Sequence, residues 1–161
     1  MFATKPGQKN GQVMEIMKTD IVVRHLKLQD ASELKRIHDA IVSVPIDFEK
    51  MVAKHLEFDG RTSLVAEFNG RVVGYIISYS IYGICGLEKG AWIVDLGVDP
   101  QYMGEGIGIC MAEKLFDIYQ NMGIENIFSS VRWDSIDLLS FFKKLGFNRS
   151  AFINLQKHIG S

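Results

Sequence analysis

One stretch in the second half of the chain restricts the possible folds more than any other. The apolar residues 91–98 are followed by Pro100 and then by glycines at positions 104, 106 and 108. The apolar run predicts a strand, the proline predicts a turn, and apolar residues at helical spacing from Ile107 predict a helix over 107–121. The stretch therefore predicts a fold that contains both a sheet and helices.

The same glycines form the most informative candidate binding site. Glycines allow close approach of the backbone to an anion, and a helix start carries about half a positive charge. Together they can hold a phosphate without a basic side chain. The spacing Gly-x-Gly-x-Gly differs from a dinucleotide-binding fingerprint, and Gly108-Ile109-Cys110 stands where a P-loop has Gly-Lys-Ser/Thr. A tight strand-to-helix turn without a ligand remains the alternative.

The other segments extend this unit to the order β-α-α-β-β-β-α-β-α-β. Asn69-Gly70 is the clearest turn, because both central positions of a type I′ hairpin need positive φ. Asp30 and Glu33 predict a capping box at the first helix, and Asp134 a cap at the last. The predicted strands cover residues 21–28, 62–68, 72–82, 91–98, 124–131 and 147–157, and the helices cover 30–44, 47–56, 107–121 and 134–145.

Composition narrows the classes of partner. The formal net charge is −1 and the pI about 6.4. Nucleic acids and acidic membrane surfaces both reward a basic excess, so we expect neither as a partner. Charges or glycines interrupt every apolar run well before the roughly 18 residues that a membrane span needs.

The chain start and the cysteines predict where the protein works. Residues 1–18 lack the apolar region of a signal peptide and predict a mobile leader, followed by a single domain over 19–161. Cys85 and Cys110 are too few for a secreted disulfide framework, so we expect buried free thiols in a cytoplasmic protein. The four histidines show no metal-ligand spacing: His25, His38, His55 and His158.

Three short motifs together resemble the GNAT acetyltransferases: Val98-x-Pro100, Gly106-x-Gly108 and Leu145-Gly146-Phe147. From Val98 to Phe147 the chain follows the bacterial ribosomal-protein N-terminal acetyltransferases without a gap. The resemblance implies a GNAT-like α+β fold, with a mixed, mostly antiparallel central sheet flanked by helices. It also implies acetyl-CoA as the cosubstrate, without a metal.

The resemblance assigns the contacts to coenzyme A. The family signature Arg/Gln-x-x-Gly-x-Gly/Ala falls on residues 103–108 when Pro100 is the anchor. In this frame Met103 replaces Arg or Gln and Glu105 adds a carboxylate, so we expect modest affinity. Gln101-x-x-Gly104-x-Gly106 fits literally but in a shifted frame. The implied coenzyme A residues are Leu96, Gly97, Val98, Met103, Gly104, Glu105, Gly106, Ile107, Gly108, Ser135 and Phe142.

The family's usual catalytic residues are missing. Its glutamate base is replaced by Ser130 and its tyrosine acid by Phe142, where we expect packing, so the ribosomal-protein activity is not carried over. Asp95 interrupts the apolar strand 91–98, where burial would raise its pKa toward that of a general base. A structural acid paired with a hydroxyl or arginine is the alternative. Three tyrosines could line the acceptor cleft or supply a proton, with at least two expected in the core: Tyr75, Tyr79 and Tyr82.

These observations predict transfer of acetyl from acetyl-CoA to a primary amine by direct attack. The acceptor is a small molecule or a peptide or protein N-terminus, and the mostly apolar segment 42–48 favours an apolar amine or a peptide. The alternatives are a non-catalytic acyl-CoA-binding module of this fold and a nucleotide- or phosphate-binding domain. Because residues 148–161 leave room for one closing strand of ordinary length, we expect a sheet edge that a second subunit covers in a homodimer.

Overall fold

Five strands form one sheet, and four α-helices lie on its two faces. The computed structural model describes residues 20–160, so the predicted leader, residues 1–18, lies outside the described residues. The strands are adjacent in chain order, and every pair is antiparallel except β4 and β5, which are parallel. This confirms the predicted mixed, mostly antiparallel α+β fold. The elements are β1 (Ile21–His25), α1 (Ala31–Ile41), α2 (Phe48–Leu56), β2 (Leu64–Phe68), β3 (Arg71–Tyr82), β4 (Lys89–Val98), α3 (Ile107–Asn121), β5 (Ile127–Ser129) and α4 (Ile136–Lys144).

The turn between β2 and β3 has the predicted geometry. Asn69 and Gly70 have φ angles of 50° and 75°. Both values lie in the left-handed region, which asparagine and glycine tolerate better than other residues. The hairpin prediction is confirmed.

The sheet separates two apolar cores. On one face, residues of α3 and α4 such as Met111, Leu115 and Phe142 pack against Ile76 and Ile93. On the other face, side chains of α1 and α2 pack against strand residues in a second cluster. It contains Leu34 and Ile37 of α1, Phe48 and Val52 of α2, and Tyr75 and Ile77 of β3. Directly paired residues of neighbouring strands point to the same face of the sheet. The β3 residue with which a β4 residue pairs therefore determines which of the two cores the β4 side chain joins.

Two helix starts differ from the sequence prediction. The Asp30 carboxylate makes no cap to α1, because it accepts bonds from both terminal nitrogens of Arg24 and from the Lys27 amide, each at 2.8 Å. Asp134 likewise pairs with Arg132, and α4 begins at Ile136. In both cases a nearby guanidinium pairs with the carboxylate through two parallel hydrogen bonds, in place of a single bond to a helix amide.

Of the last two predicted strands, the first is shorter than predicted and the second is absent from the described chain. The strand predicted over 124–131 is limited to β5, which pairs for three residues, and the strand predicted over 147–157 does not form. Within the described chain, residues 148–160 make side-chain contacts such as Asn154 Nδ2 to Ser130 Oγ at 2.5 Å, and no ladder of backbone bonds. A strand needs backbone pairing with a neighbour, and among the described residues no strand pairs with this segment.

The two cysteines and the helices bear on the predictions about compartment and membrane. Cys85 and Cys110 are both free thiols. Each is half-buried, whereas we expected both to be fully buried. Among residues 20–160, no helix has the length and apolar character needed to cross a bilayer.

Candidate active site

The glycine loop reaches α3 with its backbone exposed. A short 3-10 turn, Pro100–Tyr102, follows β4, and Gly104 and Gly106 then have φ angles of 90° and 77°. Apart from the adjacent residues of the loop, no described heavy atom lies within 4 Å of where a Cβ at either glycine would be. The first bond of the helix runs from the Cys110 amide to the Gly106 carbonyl at 2.9 Å. The amides before Cys110 therefore have no intrahelical acceptor and are available to an anion.

A buried ion pair holds the loop at its entry. Arg36 of α1 donates from Nη1 to Asp99 Oδ2 at 2.6 Å and from Nη2 to the Val72 carbonyl at 3.1 Å. Asp99 is 3% exposed, and its Oδ1 accepts from the Gln101 amide at 3.0 Å. Burial opposes ionisation of Asp99, but the Gln101 amide and Arg36 outweigh it and lower its pKa below the usual value. The start of the loop is thus fixed to α1 and β3.

α4 contacts the same loop through a residue that the sequence analysis did not consider. A Cβ at Gly108 would lie 2.9 Å from the Phe141 ring, so this glycine permits close contact between α3 and α4. The neighbouring Phe142, which the resemblance places at coenzyme A, is 5% exposed and packs on Phe147 with ring centroids 4.9 Å apart. The structure therefore places Phe142 in the core and Phe141 beside the loop.

β4 and β5 separate beyond three paired residues. Their parallel ladder ends at Ile93 and Ser129, where the Ser129 hydroxyl donates to the Ile93 carbonyl at 3.1 Å. Beyond it, residues 94–98 have no partner on this side among the described residues. This part of β4 includes Leu96, Gly97 and Val98, whose backbone groups on the β5 side are unpaired. We call this unpaired stretch, which leads to the glycine loop, the opening between β4 and β5.

A β-bulge in β4 determines where Asp95 lies. Ser78 pairs with Ile93 and Ile77 pairs with Asp95, so Val94 is an extra residue without a partner in β3. Strict alternation would have placed Ile93 and Asp95 on the same face of the sheet. The bulge instead turns Asp95 to the α1 and α2 face, while Ile93 joins the α3 core.

The half-buried Asp95 makes a hydrogen bond with the buried Tyr75. Its Oδ2 accepts a 3.2 Å hydrogen bond from the Tyr75 hydroxyl. Burial raises the pKa of Asp95 above its ordinary value of 3.8, and the bond from Tyr75, the charge of His38 and the Leu96 amide reduce that rise. The pKa of Tyr75 is raised by burial and by the Asp95 charge, so the phenol keeps its proton. This is the environment of a candidate base, and it also matches the structural alternative of an acid paired with a hydroxyl.

Gly97 allows this contact. A Cβ at Gly97 would lie 2.7 Å from the Tyr75 ring, so any larger residue would displace the ring. The other two candidate tyrosines are not part of this contact. Tyr79 packs between His55 and Phe58, with ring centroids at 4.8 and 5.2 Å, and Tyr82 is 72% exposed.

The remaining predicted residues lie around the opening. Met103 is 53% exposed and Glu105 is exposed, so neither side chain fills the loop. Ser135 directly precedes α4, and Ser130 directly follows β5. Among the described residues, no group of three His, Cys, Asp or Glu side chains is placed to hold a metal ion.

Sequence reasoning missed His38 as a neighbour of Asp95. His38 is 5% exposed on α1, four residues after the fully buried Leu34, so helical spacing could have indicated that it faces the sheet. Its influence on Asp95 depends on the bulge, which no local pattern in the sequence reveals.

Known proteins are similar to this chain in sequence or in fold. An N-alpha-acetyltransferase from Sulfurisphaera tokodaii is 26% identical over 132 residues, with 78% of each chain covered. The ribosomal-protein-S18-alanine N-acetyltransferase from Escherichia coli has a TM-score of 0.70 at 21% identity, over 81% of this chain and 79% of that chain. An aminoglycoside N-acetyltransferase in complex with CoA has a TM-score of 0.74 at 13% identity, over 87% and 95%. At such identities the two structures show a shared fold alone.

The family model gives a more specific result. The model described as the acetyltransferase (GNAT) family matches residues 31–147. This range runs from the start of α1 to just beyond α4 and contains the glycine loop, the bulge and Asp95. The chain belongs to the GNAT family of acetyltransferases.

Proposed function

We propose that residues 19–161 form a single domain that transfers acetyl from acetyl-CoA to a primary amine by direct attack. The observation that carries this proposal is the position of Asp95. The bulge places a carboxylate of raised pKa beside the opening between β4 and β5, and the anion-binding glycine loop lies at the end of that opening.

The residues present fit coenzyme A. The amides of Gly104, Gly106, Ile107 and Gly108, which precede the first hydrogen bond of α3, suit the pyrophosphate, because they provide donors and a helix start without a basic side chain. Residues 96–98 offer unpaired backbone groups to the amides of the pantetheine arm. Met103, Glu105 and Ser135 border this path, whereas Phe142 supports it from the core. Acetyl-CoA supplies an acetyl group activated as a thioester.

Asp95 serves as the general base. An acceptor amine arrives as an ammonium, and the Asp95 carboxylate takes one proton to give the nucleophilic neutral amine. Attack forms the amide C–N bond and breaks the C–S bond, and the second amine proton goes to the departing sulfur. A carboxylate of raised pKa is a stronger base than an ordinary aspartate, which suits this step.

The surroundings favour a peptide N-terminus or an apolar amine as the acceptor. The connection after α1 exposes apolar side chains, with Ile41, Val42 and Val44 at 43, 42 and 57% exposure. A polycationic acceptor would call for a dense acidic cluster, and here Asp39 and Asp47 are each involved in a local contact. The similarity to an N-alpha-acetyltransferase supports the same choice.

We also propose a homodimer. Within the described chain, β5 has a partner on one side only. The segment after α4 exposes Ile153, Leu155 and Ile159 by 74, 87 and 88%, at positions that would share one face of a strand. Pairing of this segment with β5 of a second copy would cover both. Size-exclusion chromatography with light scattering should give twice the chain mass, and a monomer at micromolar concentration would reject the dimer.

The cytoplasm is the compartment that we propose for this enzyme. Its two free, half-buried thiols suit a reducing compartment. Thiol labelling of the protein extracted under non-reducing conditions should modify both Cys85 and Cys110, and a disulfide at either one would contradict the assignment.

Titration calorimetry with acetyl-CoA, using ATP as a control ligand, tests the cofactor site. Gly106→Glu places a carboxylate in the loop at a φ of 77°, and Gly123→Glu imposes the same strain at a φ of 72° after α3. We expect both folded variants to lose similar stability and only Gly106→Glu to lose acetyl-CoA binding. Equal binding by both variants, or preference for ATP, would reject the site. Thiol release with a panel of peptides and amines then tests transfer.

A non-catalytic acyl-CoA-binding module is the second candidate. It is favoured by Ser130 and Phe142 at the positions of the usual base and acid. Micromolar acetyl-CoA binding with no thiol release for any amine would support it over the enzyme.

A further inference from the structure

Three aromatic side chains form a row across the sheet. Tyr79 of β3 pairs with Trp92 of β4, and Trp92 pairs with Phe128 of β5. Directly paired residues point to the same face, so all three rings stand on the side of the sheet that α1 and α2 occupy. The rings of Trp92 and Phe128 stack with centroids 5.7 Å apart and 24° between their planes. We call these two residues the stacked pair.

The stacked pair remains partly exposed, unlike the first ring of the row. Tyr79 packs between His55 of α2 and Phe58. Trp92 and Phe128 are each half-buried, and neither belongs to one of the two apolar cores of the described chain. Adjacent apolar rings that keep contact with water form a patch of the kind that marks binding sites.

The stacked pair lies beside the candidate base on the same face of the sheet. Trp92 pairs with Tyr79 of β3. Asp95 pairs with Ile77, two residues before Tyr79 on the same strand, because the bulge accommodates Val94. Trp92 and Asp95 are therefore neighbouring side chains on one face of β4, about 7 Å apart along the strand.

An aliphatic side chain bounds the stacked pair on the side away from Asp95. A Cβ at Gly90, the preceding position on the same face of β4, would lie 2.7 Å from Ile84 Cγ2 and 3.5 Å from the Phe128 ring. The glycine therefore allows Ile84 to lie close to Phe128. The result is an apolar surface that has Ile84 at one end and the Asp95 carboxylate at the other.

We propose that the stacked pair binds the side chain next to the reacting amine, so that the acceptor is a peptide whose first residue is large and apolar, such as leucine or phenylalanine. This inference rests on the proposed function and narrows its acceptor. With the amine at Asp95, the first side chain leaves from the adjacent carbon and reaches the neighbouring position on the same face. Two uncharged rings gain contact with an apolar or aromatic group and provide no counter-charge for a charged one.

Peptides that differ only in their first residue test this acceptor. The wild-type chain should favour leucine over alanine about 10-fold or more in kcat/KM, since an apolar site discriminates by such a factor. Trp92→Ala and Phe128→Ala should raise KM for the leucine peptide and leave the alanine peptide nearly unchanged. Trp133→Ala, at a tryptophan that is 83% exposed beyond β5, is the matched control and should keep the preference. An unchanged preference in the two folded variants, or an equal loss in the control, would overturn the proposal.

A binding measurement tests the site without turnover and without truncating either ring. The chain has two tryptophans, so Trp133→Phe leaves Trp92 as the single fluorophore of its type. With coenzyme A in place of acetyl-CoA, the leucine peptide should change the Trp92 emission, and the alanine peptide at the same concentration should not. No change with the leucine peptide would overturn the proposal. So would an emission that varies with protein concentration alone, because a second copy would then cover the rings.

The two experiments separate this inference from the proposed function. If the leucine peptide changes the Trp92 emission but no peptide is acetylated, the proposed function fails and the binding site stands. If peptides are acetylated without regard to their first residue, the proposed function stands and the role of the stacked pair is rejected.

Discussion

The Tyr75 hydroxyl on β3 donates a 3.2 Å hydrogen bond to Oδ2 of Asp95 on β4, across the strand pair that contains the bulge. The bond favours the ionised carboxylate, whereas burial favours the protonated one, and burial is the stronger effect. The pKa of Asp95 is therefore raised above its ordinary value, in contrast to that of Asp99, which its ion pair with Arg36 and the Gln101 amide lower.

Asp95→Asn should lower kcat/KM about 100-fold or more, because general-base catalysis typically contributes a factor of that size. Acetyl-CoA affinity should be retained, since the loop amides are unaffected. Steady-state kinetics and titration calorimetry measure the two quantities. Asp117→Asn, an exposed change on α3, is the control and should leave both unchanged. Full activity in Asp95→Asn would remove Asp95 from the mechanism.

The pH dependence of the wild-type enzyme follows from the raised pKa of Asp95. The base must be unprotonated, so kcat/KM should fall as the pH decreases through that pKa. Because the pKa is raised, the fall should begin above the pH at which an ordinary aspartate, with a pKa of 3.8, is protonated. A pH–rate profile with an amine acceptor measures it, and a flat profile down to pH values near 4 would contradict it.

Gly97→Ala should destabilise the fold by roughly 1–3 kcal/mol, because the added Cβ overlaps the Tyr75 ring at 2.7 Å. Urea denaturation of the purified variant measures the loss. Tyr75→Leu in the same background should recover part of it, since the obstructing ring is removed. If the two changes add without coupling in a double-mutant cycle, the steric account is incorrect.

Acid should destabilise the protein partly through His55. Burial lowers the pKa of His55 below its ordinary 6.5, so the unfolded chain binds the proton more readily than the folded chain. The stability from neutral His55 is complete above that value and decreases as the pH falls toward the folded pKa, by up to about 1.4 kcal/mol per pH unit. His55→Leu should flatten the free energy of unfolding in this range, measured in urea at several pH values. The exposed His158→Gln should not.

Arg36→Ala should cost on the order of 3 kcal/mol, because it leaves the buried Asp99 carboxylate without its cation. Lys54→Ala breaks an ion pair with Glu57 in which both side chains are more than half exposed, and should cost less than about 1 kcal/mol. Thermal and urea unfolding compare the two variants. Equal losses would mean that Asp99 finds another partner or is protonated.

Local signals in the sequence were sufficient for much of the fold. The helix over 107–121 has the predicted bounds, since glycines limit both ends of its apolar repeat. The Asn69-Gly70 turn requires backbone angles that few residue pairs accept. The strand over 147–157 is incorrect because β propensity describes a segment alone, whereas a strand forms only with a neighbour. Boundaries that depend on partners were therefore the ones predicted least well.

The candidate site was predictable to a similar degree. The glycine loop was predictable from the spacing of its glycines after Pro100, because glycine and proline restrict the backbone geometry in characteristic ways. Asp95 was recognisable as an acid in an apolar strand, but its face, its bond to Tyr75 and the proximity of His38 were not. All three depend on the pairing of β4 with β3, which involves residues almost twenty positions apart.

Val94 has a consequence for anyone who redesigns this enzyme. Asp95 reaches the α1 and α2 side because a bulge accommodates Val94, and not because of which side chains precede it. Exchanging side chains along the strand would leave that side as it is. Deleting Val94 would also leave it, because Ile93 and Asp95 would then be consecutive and would lie on opposite faces by plain alternation. A substrate channel on the opposite side of the sheet would therefore have to begin with a β4 that keeps residue 94 and pairs with β3 without a bulge.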